Sequence, residues 1–184
     1  MNVSLASLWL PILVSAIAVF VLSSLIWAVI QYHESDWQKL PDEESARSAL
    51  RGAAPGQYSV PHAAGNKERA DEAWQAKFRE GPAAMIIVTP HGQLAMGKQM
   101  VLWFIYSIVI AVFVAYVAGT TLSAGAEYLK VFQVTSTVTW LAYGGSAGMN
   151  KIWFGYTGGR VAKDLLDALI YALVTAGIFG WLWP

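Results

Sequence analysis

MVLWFIYSIVIAVFVAYVAG, residues 100–119, holds no charged side chain and no proline in twenty consecutive positions. A bilayer core about 30 Å thick is crossed by about 20 apolar residues at a rise of about 1.5 Å each. The stretch therefore reads as a membrane-crossing helix, and the rest of the chain is interpreted around it. Upstream, Leu5 to Ile30 is a second such run. Pro11 predicts that its regular helix begins there, because proline is tolerated in a first turn. Met1–Leu10 contains no Lys or Arg and the apolar run is too long for a signal core, so the segment reads as a retained anchor. Downstream, Leu165–Trp183 is a further span. Leu129–Gly148 is the weakest, since it carries Gln133, Thr135, Ser136, Thr137 and Thr139 before a GGSAG stretch. Polar side chains at membrane depth need partners inside a bundle. Four spans are expected, with three as the alternative.

Composition agrees. Only 13% of the 184 residues are charged and 56% are hydrophobic, whereas soluble domains carry about 25% charged residues. Residues 1–31 contain no charge, residues 32–99 contain 17 and residues 100–184 contain 7. The formal net charge is zero, which argues against a nucleic-acid partner, and the absence of cysteine removes thiolate zinc sites and disulfides. The expected fold is an all-α transmembrane four-helix bundle with a small cytoplasmic α/β insert between helices 1 and 2. Residues 1–31 form helix 1, 32–99 the insert and 100–184 helices 2–4. The side holding residues 32–99 and 149–164 has eleven of the twelve basic residues, which predicts that this side is cytoplasmic and both termini periplasmic.

Two ladders of small residues recur at i,i+4 spacing: Ser107, Ala111, Ala115 and Gly119, then Ala168, Ala172, Ala176 and Gly180. Small residues let helix backbones approach closely in lipid. The ladders are expected to touch each other or span three; docking of a partner's helix is the alternative.

In the insert, Pro41 followed by DEESARSALRG predicts a helix, GQYSV (56–60) a strand, and Asn66 caps a helix running to Glu80. Ala70, Trp74 and Phe78 form an apolar stripe on that helix, with Trp74 and Phe78 a candidate partner-docking face. AMIIV (84–88) reads as a short buried strand, and AMGKQ (95–99) as the turn leading into span two. YSVPH and IVTPH each end in Pro-His. Parallel pairing of the strands would bring His62 and His91 to one edge, and with His33 they would form a candidate metal or haem site. The alternative for each is a turn with a solvated imidazole, since no His pair has i,i+4 or HxH spacing.

Asp164 and Asp167 read as helix-capping acids paired with Arg160 and Lys163. Gln133, Thr137 and Gly144 are the candidate lining of a polar path, should span three serve a channel or carrier. No HExxH, G-x-S-x-G, Walker or G-x-G-x-x-G motif is present, so no enzyme is expected and no cofactor is named.

YHESDWQKLPDEESARSALR, PGQY, MGKQMVLWF and the closing DALIYALVTAGIFGWLWP resemble a group of small bacterial inner-membrane proteins. The resemblance covers most of the chain, with FGWLWP its most distinctive part. It implies a bacterial origin and a four-span plan, and carries over no functional residue. The expected role is a non-catalytic accessory or assembly subunit of a larger membrane complex, whose partners are the lipid bilayer and other membrane-protein subunits.

Overall fold

Long apolar runs, with proline only in the first turn of the first helix, build the helices of the larger unit. In the computed structural model, which describes residues 3–92 and 96–184, the chain is mostly helical with one small two-stranded sheet. Ala95, at the head of AMGKQ, lies outside the described residues. The chain divides into two units, Met1–Trp37 with Ala95–Pro184, and Gln38–Leu94. The first boundary falls six residues beyond the expected one, because residues 32–37 fold onto the helices of the larger unit.

In that unit a 3₁₀ turn, Leu5–Leu8, leads into α1 (Trp9–Leu25). The helix starts ahead of Pro11, which costs little, since an N–H in the first turn has no intrahelical partner. A π turn, Ile26–Ile30, extends α1 and ends at Gln31, whose φ of 56° reverses the chain into a second 3₁₀ turn, Tyr32–Asp36. The helices that return later are α5 (Gly97–Thr121), α6 (Tyr128–Gly144), α7 (Ala147–Phe154) and α8 (Gly158–Trp181). Two helical stretches, Leu5–Ile30 and Gly97–Thr121, are long and apolar enough to cross a membrane.

The ends of these helices assort into two groups. Val3 N–H donates to Gly119 O, Gly125 N–H to Pro184 O, and the Trp183 indole to Ser123 O. The start of α1, the end of α5, the start of α6 and the end of α8 therefore lie together, so neighbouring helices run antiparallel.

Both small-residue ladders are inside the bundle, but they do not face each other. The α5 ladder meets α1: a Cβ on Gly119 would lie 2.7 Å from Val3 O. The α8 ladder meets α6, where a Cβ on Gly144 would lie 3.0 Å from the Ala168 Cβ and one on Gly180 2.5 Å from the Tyr128 ring. Each ladder is used by a different neighbour, which leaves neither for a partner's helix. Leu8, Ile110, Val114, Ala115, Val131 and Phe179 close the core at the termini end.

The smaller unit follows the expected helix–strand–helix–strand order: α2 (Glu43–Leu50), β1 (Gly56–Val60), α3 (Asn66–Arg69), α4 (Glu72–Glu80) and β2 (Ala84–Val88). Asp42 caps α2 by accepting from Ser45 N–H. Two expectations fail. The single helix from Asn66 is broken at Ala70, because Asp71 accepts from Ala73 N–H and caps a new helix. Ala70 thus leaves the Trp74–Phe78 stripe. The strands also pair antiparallel, Gly56 opposite Val88 and Val60 opposite Ala84. Broken into two short helices, the connection re-enters the sheet at the end where β1 left it. Nor is AMIIV buried: Met85 and Ile87 are exposed, and its partner strand is exposed along its whole length.

Candidate functional site

A charged cluster lies at the bundle end opposite the termini. The reversal at Gln31 carries His33 back beneath Trp27, whose ring stacks parallel on the imidazole with centroids 4.2 Å apart. His33 is 2% exposed. Its Nδ1 is 2.9 Å from Asp36 Oδ2 and its Nε2 3.1 Å from Asp167 Oδ2 on α8. The Tyr32 hydroxyl donates to the other Asp167 oxygen. Lys163, one turn before Asp167, donates from Nζ to Tyr32 O (2.8 Å), Ser35 Oγ (2.6 Å) and Asp36 Oδ1 (2.8 Å). An ammonium has three N–H donors, so all of them are used.

The electrostatics follow from this connectivity. The Lys163 ammonium, and after it His33, hold the Asp36 carboxyl below its ordinary value of 3.8 despite some desolvation. Asp36 is thus ionised at neutral pH. His33 lies between that carboxylate and Asp167, within hydrogen-bond distance of both.

Asp167 also borders a cavity of about 170 Å³ lined by Trp27, Trp103, Tyr143, Tyr171 and Asp164 among others. Tyr143 stands edge-on to Trp103 and to Tyr171, at 6.0 and 5.2 Å. The Trp103 indole donates to Ser23 Oγ at 2.7 Å, tying α5 to α1. Arg160 Nε is 3.8 Å from Asp164 Oδ2 and makes no hydrogen bond. The Arg160 guanidinium instead lies over the rings of Trp37 (5.5 Å) and Tyr156 (4.6 Å).

The expected capping role of the two acids is corrected here. Thr157 caps α8 by accepting from Arg160 N–H, so the helix begins at Gly158 and Asp167 lies beyond its second turn. Arg160 pairs with Asp164 at 3.8 Å as expected, while Lys163 pairs with Asp36 rather than with either acid on its own helix. Asp167 is an interior carboxylate held by Tyr32 and His33, in the turn that follows the neighbouring helix α1. Lys163 and Asp167 at i,i+4 suggested a pair within the helix; the structure instead joins each of them to residues 32–36.

The candidate metal ligands are not brought together as expected. Antiparallel pairing sends His62 and His91 to opposite ends of the hairpin, and His62 is engaged by Ser59 at 3.3 Å. His33 has both ring nitrogens occupied by carboxylates, leaving none for a metal. Among the described residues no group of three or more His, Asp or Glu side chains is arranged to hold a metal ion.

The polar path also dissolves. Gln133 and Thr137 are exposed on α6, while Gly144 is buried against α8. Thr135 and Thr139 face inward, and all three threonine hydroxyls bond back to carbonyls one turn earlier in α6. The void between Ser15, Ser107, Tyr143 and Thr175 has no room for water. In the smaller unit, Trp74 and Phe78 stack at 5.1 Å, with the Trp74 indole donating to His62 O and Phe78 half exposed.

No protein-family model, no curated protein and no solved structure matches the chain.

Proposed function

We propose that this is a four-span bacterial inner-membrane protein with a cytoplasmic insert between helices 1 and 2 and both termini periplasmic. In this reading it serves as a non-catalytic accessory or assembly subunit of a larger membrane complex. One observation carries the membrane reading: beside its apolar core the bundle buries a set of polar side chains, while large apolar ones cover its outside. Ser15, Ser23, Ser107, Thr135, Thr139, Asp167 and Thr175 are buried, whereas Leu13, Ile17, Val21, Val109, Phe113, Leu166, Leu169 and Leu173 are exposed. Soluble monomers keep contiguous exposed apolar patches to a few hundred Å². Part of the polar content of α6 and α8 also turns inward, at Thr135, Thr139, Asp167 and Thr175. The excess of Lys and Arg in residues 32–99 and 149–164 supports the orientation.

The accessory role rests on the outer face of α6, where Gln133 exposes its amide beside Thr137, with Trp140 and Leu141 also exposed. An amide facing hydrocarbon costs free energy unless another helix supplies its partner. Purification in a mild detergent tests this. The protein is expected to run as a particle larger than one chain, and Gln133→Leu to release the associated subunit. A monodisperse single chain, unchanged by the substitution, would contradict the accessory role.

A further inference from the structure

We infer that the cavity at the charged end of the bundle is a binding site for a small organic cation, an ammonium or methylated ammonium head. Four aromatic rings (Trp27, Trp103, Tyr143 and Tyr171) and two carboxylates (Asp164 and Asp167) line it. Aromatic faces attract cations through their quadrupoles, and a recess of such rings closed by carboxylates is the chemistry that recognises amines. Size agrees: a cavity of ~150 Å³ holds benzene, and this one is about 170 Å³.

The acids are left with capacity for such a guest. Asp167 receives one contact on each oxygen, from Tyr32 and His33, while each carboxylate oxygen can accept about two. Those contacts fix the carboxylate at the cavity wall. Asp164 has its nearest cation, Arg160 Nε, at 3.8 Å, outside hydrogen-bond reach. The Lys163 ammonium has its three donors on Tyr32, Ser35 and Asp36, so it does not fill the cavity. The Asp164 side chain is 25% exposed, which leaves the site reachable. An anion is disfavoured by the two carboxylates, and an uncharged apolar guest by the same groups.

The cation has two possible sources, a phospholipid amine headgroup or a free amine. The inference rests on the membrane-spanning reading for the first of these and on the cavity alone for the second. The full chain is placed in nanodiscs of phosphatidylglycerol, and ethanolamine and choline are titrated by saturation-transfer NMR at constant ionic strength. Protein that does not enter discs is titrated in buffer, so failure to insert counts against the membrane reading only. Saturable binding of either amine is expected, weakened at least tenfold by Asp164→Asn and by Tyr143→Leu, with helical circular dichroism unchanged for Asp164→Asn. Discs containing phosphatidylethanolamine separate the sources: loss of amine binding there identifies the headgroup, and unchanged binding identifies the free amine. No saturable binding to either amine in phosphatidylglycerol discs would overturn the inference. So would binding that neither substitution weakens.

Discussion

The bundle and the insert solve the same problem by opposite means. The bundle holds a continuous interior of Ser, Thr, Ala and Gly, with Leu8, Val114, Val131 and Phe179 fully enclosed. In the insert, not one described residue from Gln38 to Gly92 is buried. Its order comes from local bonds: Asp42 on Ser45, Asp71 on Ala73, Glu68 on Ala64 N–H, and the pairing of two antiparallel strands. The difference teaches where each unit is vulnerable. A unit held by its interior fails when one interior contact is lost or overfilled. A unit held by caps and a hairpin absorbs side-chain changes and opens as a whole.

The largest contrast is expected from His33→Ala. It removes the group between Asp36 and Asp167, leaving the interior Asp167 without its Nε2 partner. Breaking such a buried pair costs about 3 kcal/mol, to be read in the unfolding of the bundle in detergent. A loss below about 0.5 kcal/mol would mean the cluster contributes nothing to the bundle. Next comes Gly180→Leu. A Cβ there meets the face of the Tyr128 ring at 2.5–2.6 Å, and overpacking of this kind costs about 2 kcal/mol. An unchanged unfolding midpoint would show that α6 and α8 are farther apart.

Acid sharpens the comparison further. Asp36 titrates near 3.8 when unfolded and lower when folded. Its contribution is therefore complete above the unfolded value and is lost as pH falls through the folded one. The bundle is expected to lose stability below about pH 4, and Asp36→Asn to flatten that acid limb while lowering stability at neutral pH. The smallest effect belongs to the insert. Ile87→Thr, on its exposed strand face, should stay within about 0.5 kcal/mol; a large loss would mean that this face is covered in the native protein.

Local signals made the insert's elements legible in the sequence. GQYSV and AMIIV became strands over the expected residues, and Asp42 after Pro41 fixed the start of α2. What local signals do not carry is direction. Asp71, three residues before Trp74, was the cap that split the helix and reversed β2, and it competed with Asn66 only five residues earlier. In the bundle, apolar length located α1 and α5. The cluster at Asp167 was not legible, because its partners lie 131 or more residues away in sequence and depend on a chain reversal at Gln31. Reading Asp167 as a cap followed from starting the last helix at Leu165; Thr157 and the glycines after it start it a full two turns sooner.

Side-specific labelling tests the central claim, that four helices cross the membrane with the termini on one side and the charged end on the other. The chain has no cysteine, so Ser4→Cys, Ser123→Cys, Ser48→Cys and Met149→Cys each report on a single position. With a membrane-impermeant maleimide on intact spheroplasts, positions 4 and 123 are expected to label, while 48 and 149 label only in inverted vesicles. Positions 4 and 149 reacting from the same side would contradict the account.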